Sequence, residues 1–196
     1  MSAALSHRFN NLWWEFSLGV STRGWSATDH PDAGHYATMR YTTIFAVLEH
    51  LHLTPSDVFV DIGCGKGRVL CCAARHRAKQ VIGIDLSDQL CCEARINAQR
   101  MRGRRAPIAV ETALAQEFDY GPATVLFLFD PFGGTTLGQV LAKVAHDTRG
   151  REVRVAYANP TYDEVFRAQA WLGGREFWSG AQSGLEHDIA FYRSRS

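Results

Sequence analysis

The densest chemical signal in the chain is Asp61-Ile62-Gly63-Cys64-Gly65-Lys66-Gly67, three glycines at alternate positions behind a carboxylate. Without a Cβ, a backbone of this kind can turn sharply and lie directly against a ligand. Three kinds of cofactor loop exploit that property, and spacing separates them. A dinucleotide fingerprint, Gly-x-Gly-x-x-Gly, needs glycine at position 68, where the chain has Arg68. A phosphate-binding P-loop needs Gly-Lys-Ser/Thr, whereas Lys66 is followed by Gly67. What remains is Asp-x-Gly-x-Gly-x-Gly.

Two further carboxylates stand at places where chemistry is expected. Asp85 ends an apolar run roughly twenty residues beyond the loop, where an acidic side chain accepts hydrogen bonds from ribose hydroxyls. Asp130-Pro131-Phe132 directly follows the apolar run 124–129 (Thr-Val-Leu-Phe-Leu-Phe). Asp-Pro is also an ordinary strand-ending turn, so the residues alone leave both readings open.

These residues need elements to position them. Residues 58–60 (Val-Phe-Val), 81–85 (Val-Ile-Gly-Ile-Asp) and 124–129 are continuous apolar or β-branched runs, as in parallel strands buried on both faces. Residues 107–110 and 153–157 add two more. Between them lie helix patterns. Arg40, Ile44, Val47, Leu48 and Leu51 form a stripe within a helix predicted from Tyr36 that ends before Pro55. A second covers 68 to about 76 and is apolar almost all round. A third is capped at Ser87 and runs to about Met101, and a fourth carries Leu137, Val140, Leu141 and Val144. A short helix is expected within 111–121, and another over 164–171. Residues 175–178 and 188–192 read as two closing strands with no clear helix between them. The pattern predicts an α/β fold, a doubly wound, mostly parallel seven-stranded sheet with an antiparallel end strand.

The 196 residues are 46% hydrophobic and 21% charged, which fits a folded domain. We expect a single domain over 1–196, with an N-terminal arm and helix in 1–54 and a Rossmann-like core in 55–196. The arm holds Trp13, Trp14, Trp25, His30, His35 and Tyr36, with a short helix expected through 12–16. Net charge is +1, so bulk charge gives no reason to expect a nucleic acid or an anionic membrane, although a local patch is compatible with it. Neither a secretory leader nor an apolar run near the ~18 residues of a membrane span is seen. The five cysteines, Cys64, Cys71, Cys72, Cys91 and Cys92, suit a reducing compartment and small buried side chains better than disulfides or a zinc site. A cytoplasmic protein with no metal is expected.

Asp61, Gly63, Gly65 and Gly67 match all four defining positions of the first motif of class I S-adenosylmethionine-dependent methyltransferases, and nearly the whole chain resembles small bacterial members of that family. The resemblance implies S-adenosylmethionine as cofactor and S-adenosylhomocysteine as product. It places Asp61, Gly63, Gly65 and Gly67 at the amino-acid end of the cofactor, Asp85 at the ribose, Leu86 among the cofactor-binding residues, and Thr112 and Ala113 at the adenine wall. The acidic residue that members often carry there falls between Glu111 and Thr112. Asp130-Pro131-Phe132 resembles a shortened Asn/Asp-Pro-Pro-Tyr/Phe/Trp motif of amino-group methyltransferases, without the second proline. It implies that Asp130 orients a target nitrogen and is the catalytic residue. Phe132, Asn159 and Tyr36 would complete a substrate wall. The expected acceptor is a nitrogen of a small molecule or peptide. The alternatives are a methyltransferase of protein or RNA, with Arg95, Arg100, Arg102, Arg104 and Arg105 as a footprint, and a noncatalytic cofactor-binding module.

Overall fold

A computed structural model describes residues 3–24 and 37–195. Seven strands, β1 (Val58–Ile62), β2 (Gln80–Asp85), β3 (Ile108–Thr112), β4 (Val125–Phe129), β5 (Arg154–Ala158), β6 (Leu172–Trp178) and β7 (Ile189–Ser194), form one sheet in the order β3-β2-β1-β4-β5-β7-β6. The first five are parallel, and β7 runs antiparallel to both β5 and β6, giving the expected antiparallel end.

Alternation along the strands feeds two cores, one on each side of the sheet. Phe59, Val81, Phe127 and Ala156 face α2 (Tyr41–Leu51) and α3 (Arg68–Ala73). Val60, Ile82, Leu126 and Val155 face α5 (Gly134–Asp147), α6 (Asp163–Arg167) and the buried Tyr120. With both faces covered, the strands carry apolar residues at consecutive positions. Helix α4 (Asp88–Arg100) begins as expected at Ser87, whose hydroxyl accepts from the Leu90 amide at 3.3 Å.

Several elements differ from expectation. The short N-terminal helix is the second half of a 16-residue helix, α1 (Ala3–Leu18). Helix α2 starts at Tyr41, because Arg40 is extended and serves as its N-cap. Segment 113–121 makes a turn closed by the Glu117 and Phe118 amides on the Leu114 carbonyl, not a helix. The Tyr120 hydroxyl bonds back to the Ala115 carbonyl at 2.8 Å, and Gly121-Pro122 ends the segment. Helix α6 stops at Arg167. A one-turn helix, α7 (Gly180–Ser183), joins the last two strands, and β6 starts earlier than expected, with a bulge between Gly173 and Glu176. Four cysteines are buried and Cys92 is exposed, so the expectation of burial fails there. Burial pushes the Cys71 thiol up to about 12. No helix among the described residues is long and apolar enough to cross a membrane.

Candidate functional site

Strand order reverses between β1 and β4, whose neighbours lead outward in opposite directions, and in open α/β sheets the crevice at such a reversal receives the ligand. Both motifs lie at this point. The glycine loop leaves β1, and its start is tied to β2: the Gly63 and Cys64 amides both donate to the Ile84 carbonyl at 2.9 Å. Gly63 has φ +78°, and a Cβ there would stand 2.6 Å from the Cβ of Pro131. The loop and the Asp130-Pro131-Phe132 turn are therefore in direct contact, and only glycine permits it. Gly67, also at φ +78°, starts α3, and a Cβ on it would press on Ala94 of α4 at 3.2 Å. One glycine thus admits the neighbouring turn and another the neighbouring helix.

The electrostatics of the loop are unbalanced. Asp61 is buried, and its Oδ2 has no hydrogen-bond partner among the described residues. Burial, with the Asp85 carboxylate nearby, holds its pKa well above the ordinary range. A buried unpaired carboxylate oxygen is costly, and a cation or ordered water placed on it would relieve the cost. This unpaired acceptor therefore fits the ammonium end of an amino-acid ligand, which would donate to it. Asp85 is raised by burial too, against hydrogen bonds that favour its charge. Its Oδ2 accepts from the Gly65 amide and its Oδ1 from the Ser87 amide, both at 2.9 Å. The Leu86 amide also favours its charge, and of about four acceptor positions on the carboxylate one remains, so the residue can brace the loop and still receive a hydroxyl.

Across the crevice, Asp130 is held in a left-handed conformation at φ +42° at the end of β4, and Asn159 takes φ +50° just past β5. Such conformations are sparse for residues other than glycine, although Asp and Asn tolerate them best, and they concentrate at functional edges. The Asp130 carboxylate receives the Tyr157 hydroxyl at 3.0 Å on Oδ1, and the Asn159 amide at 3.1 Å and Thr161 hydroxyl at 2.6 Å on Oδ2. Burial raises the Tyr157 phenol, so it remains a proton donor near neutrality. A carboxylate offers about four acceptor positions, and three are filled. One remains, on Oδ1, for one further donor.

The sequence alone missed Tyr157 and Thr161. Tyr157 stands in β5 two positions before Asn159, and that closeness in sequence was the available signal. It also missed what Arg68 does. This side chain, 4% exposed, donates from Nε to the Thr22 hydroxyl at 2.7 Å and from Nη1 to the Met39 carbonyl at 2.7 Å. Its Nη2 lies 3.4 Å from the buried Glu15, and its guanidinium covers the Tyr41 ring at 4.7 Å. Glu15 also accepts from the Thr22 amide and hydroxyl and pairs with Arg23 at 2.6 Å. Asn97 of α4 extends the junction, bonding Ser21 through its amide and carbonyl while donating to the Lys66 carbonyl. The stretch after α1 is thus fastened to the glycine loop and to α3 by buried polar groups.

The other expected site residues are placed as follows. Leu86 is 39% exposed directly after Asp85, and the Ala113 amide donates to the Asp85 carbonyl at 3.0 Å. The Thr112 hydroxyl is engaged with Asp88 and Arg95. Phe132 is half-buried against the α5–α6 core, and the Asn159 amide turns onto Asp130. Tyr36, Trp25, His30 and His35 lie outside the described residues. Among the described residues no group of three or more His, Cys, Asp or Glu side chains is arranged to hold a metal ion.

Comparison with known proteins agrees with this fold. Residues 59–148 match the family model described as a methyltransferase domain. A protein-lysine N-methyltransferase of Saccharolobus islandicus is 29% identical over 84 residues, which are 42% of this chain and 52% of that protein. The aligned part thus spans about half the length of that relative. Among solved structures, an RNA methyltransferase from Salinibacter ruber in complex with S-adenosyl-L-homocysteine superposes with a TM-score of 0.55 at 22% identity, over 81% of this chain and 92% of that one. An S-adenosylmethionine-dependent O-methyltransferase from Thermotoga maritima gives 0.62 at 14% identity, over 82% and 68%. The fold is that of the class I methyltransferases.

Proposed function

We propose, on the premise that residues 59–148 form a methyltransferase domain, that the protein transfers a methyl group from S-adenosylmethionine to a nitrogen of a small molecule or peptide. The cofactor supplies a methyl group already activated on a sulfonium, so the protein's task is to align a nucleophile and exclude water. Asp61 receives the ammonium end, directly or through a water. Gly63, Gly65 and Gly67 let the backbone lie against it. Asp85 receives the ribose, with Leu86 and Ala113 beside the adenine. Thr112 is already bonded to Asp88 and Arg95, and so contributes to that wall by bracing it.

The observation that carries the acceptor reading is the seating of Pro131 on Gly63, which puts the Asp130 turn against the cofactor loop. With Tyr157, Asn159 and Thr161 fixing the carboxylate, the remaining acceptor position on Oδ1 directs one N–H of an amine and turns its lone pair toward the crevice. Phe132 forms part of the wall, and Asn159 acts through Asp130. Five cysteines free of disulfides accord with a cytoplasmic setting.

The test is the Asp130→Asn variant, which keeps a side chain tolerant of the left-handed backbone. S-adenosylhomocysteine formation is followed across a panel of amines and lysine peptides, and cofactor affinity is measured by calorimetry. Turnover should fall about 100-fold or more, with cofactor affinity within threefold. Undiminished turnover in the variant removes Asp130 from the mechanism. Tight cofactor binding by the parent chain with no product on any acceptor would instead identify a noncatalytic binding module.

A further inference from the structure

A second surface lies away from the crevice, where chain segments enter β2 and β3. The segment 74–79 carries Arg75, Arg77 and Lys79, and the segment 98–107 carries Arg100, Arg102, Arg104 and Arg105; neither contains an acidic residue. The two are joined, because the Arg105 and Ala106 amides both donate to the Ala74 carbonyl, at 2.7 and 3.2 Å. A third of the chain's 21 Lys and Arg residues therefore meet on one surface of a protein whose net charge is only +1. His76 senses the crowding: burial chiefly, then Arg105 and Arg75, lower its pKa against a weaker opposing influence from Glu49.

The C-terminal half of α1 borders this surface and adds aromatic rings. Phe16 is 76% exposed and Trp13 58% exposed. The Arg102 amide donates to the Leu18 carbonyl at 2.7 Å, and its guanidinium lies 6.0 Å from the centre of the Phe16 ring. Arg75 lies 5.9 Å from the centre of the Trp14 ring, against which Trp13 packs edge-on at 4.7 Å. Cations and aromatic rings are thus in contact across this surface, with Phe16 and Trp13 still exposed.

We propose that this surface binds a single-stranded polynucleotide, its arginines on successive phosphates and Trp13 and Phe16 stacked on bases. Six of the seven cations are arginine, which pairs with phosphate in a bidentate manner and stacks on rings. Base–aromatic stacking beside a positive track is the usual chemistry of such recognition. A membrane-binding helix would need a continuous apolar face, whereas the Phe16 ring has a guanidinium over it. Arg95, expected from the sequence to join the footprint, is instead engaged with Val110, Thr112 and Asp88. The inference stands apart from the acceptor assignment, since a chain can be anchored here whether or not it carries the methylated atom.

The experiment measures binding of the full chain, without cofactor, to a fluorescent 20-nucleotide single-stranded RNA and to the DNA of the same sequence, at salt from 50 to 300 mM. Anionic phosphatidylserine vesicles form a separate arm. Parent-chain affinity should fall steeply with salt, with a log–log slope of about −3.5 to −5. The Arg77→Ala/Arg104→Ala/Arg105→Ala variant should lessen that slope by about 2. The Trp13→Ala/Phe16→Ala variant should weaken binding about tenfold or more with the slope unchanged. A stronger RNA arm would assign the strand as RNA, a stronger DNA arm as DNA. Calorimetric titration of S-adenosylmethionine and the thermal midpoint, both expected unchanged, show that fold and cofactor site are intact. Absence of nucleotide binding at 50 mM salt, indifference to both sets of substitutions, or binding to vesicles alone overturns the proposal and leaves the methyltransferase reading untouched.

Discussion

Replacing Asp61 by asparagine should make the protein more stable and a poorer binder of its cofactor. The carboxyl is buried, with Oδ2 unpartnered among the described residues, and burial with Asp85 close by raises its pKa. For an acid whose folded pKa lies above the unfolded value, stability is highest below the unfolded pKa, near 3.9, and is lost as pH rises toward the folded value. Each tenfold suppression of acidity costs about 1.4 kcal/mol, and a carboxyl held fully protonated at pH 7 would cost at most about 4 kcal/mol. Asparagine has nearly the same shape and carries no such burden. At 2–4 °C per kcal/mol for a chain of this size, the variant's midpoint should rise by roughly 3–10 °C at pH 7, with little gain near pH 4. Losing a charge-assisted bond to the ammonium group should cost about 1.5–3 kcal/mol of cofactor affinity, roughly 10- to 150-fold. Thermal scans from pH 4 to 7.5, with and without S-adenosylmethionine, test both halves. A gap between variant and parent that fails to widen with pH, together with unchanged cofactor affinity, would refute the reasoning.

Gly63→Ala should destabilise by about 2 kcal/mol or more, since alanine is strained at φ +78° and its methyl would collide with Pro131; denaturant titration with a turnover assay checks it, and turnover should fall with stability because the Asp130 turn is displaced. Arg68→Ala should cost about 3 kcal/mol, near the low end for a broken buried pair because Thr22 and Arg23 still serve Glu15. Adding Glu15→Gln should recover part of that loss, as a double-mutant cycle in urea would read. Tyr157→Phe should leave cofactor affinity unchanged and lower turnover about tenfold, because Asp130 loses one of three donors; equal turnover in the two proteins would remove Tyr157 from the positioning role.

The parts legible in the sequence are those governed by local pattern. The runs that became β1, β2 and β4 are apolar at consecutive positions because helices cover both faces, and Ser87 announces α4 through its own hydrogen bond. Less legible were features set by distant partners. Leu114, Ala115 and Phe118 have helical spacing, yet the segment ends in a turn because Tyr120 is fixed by its hydroxyl on Ala115 and by Asp147, 27 positions away, on its amide. Asp130 was visible as a turn, but its three donors come from a neighbouring strand and the loop beyond it, about 30 residues on. Arg68 declared only which cofactor loop the chain lacks. Its contacts with Glu15, Thr22 and Met39 span long separations that periodicity does not encode.

Those contacts also bear on how this protein can be altered. Thr22 and Met39 both bond one buried guanidinium, so a single side chain of α3 holds two separate parts of the N-terminal region. The arginine that rules out the dinucleotide spacing is therefore also a clamp on the N-terminal residues, and any substitution at position 68 made to alter the cofactor loop releases the Thr22 and Met39 contacts with it.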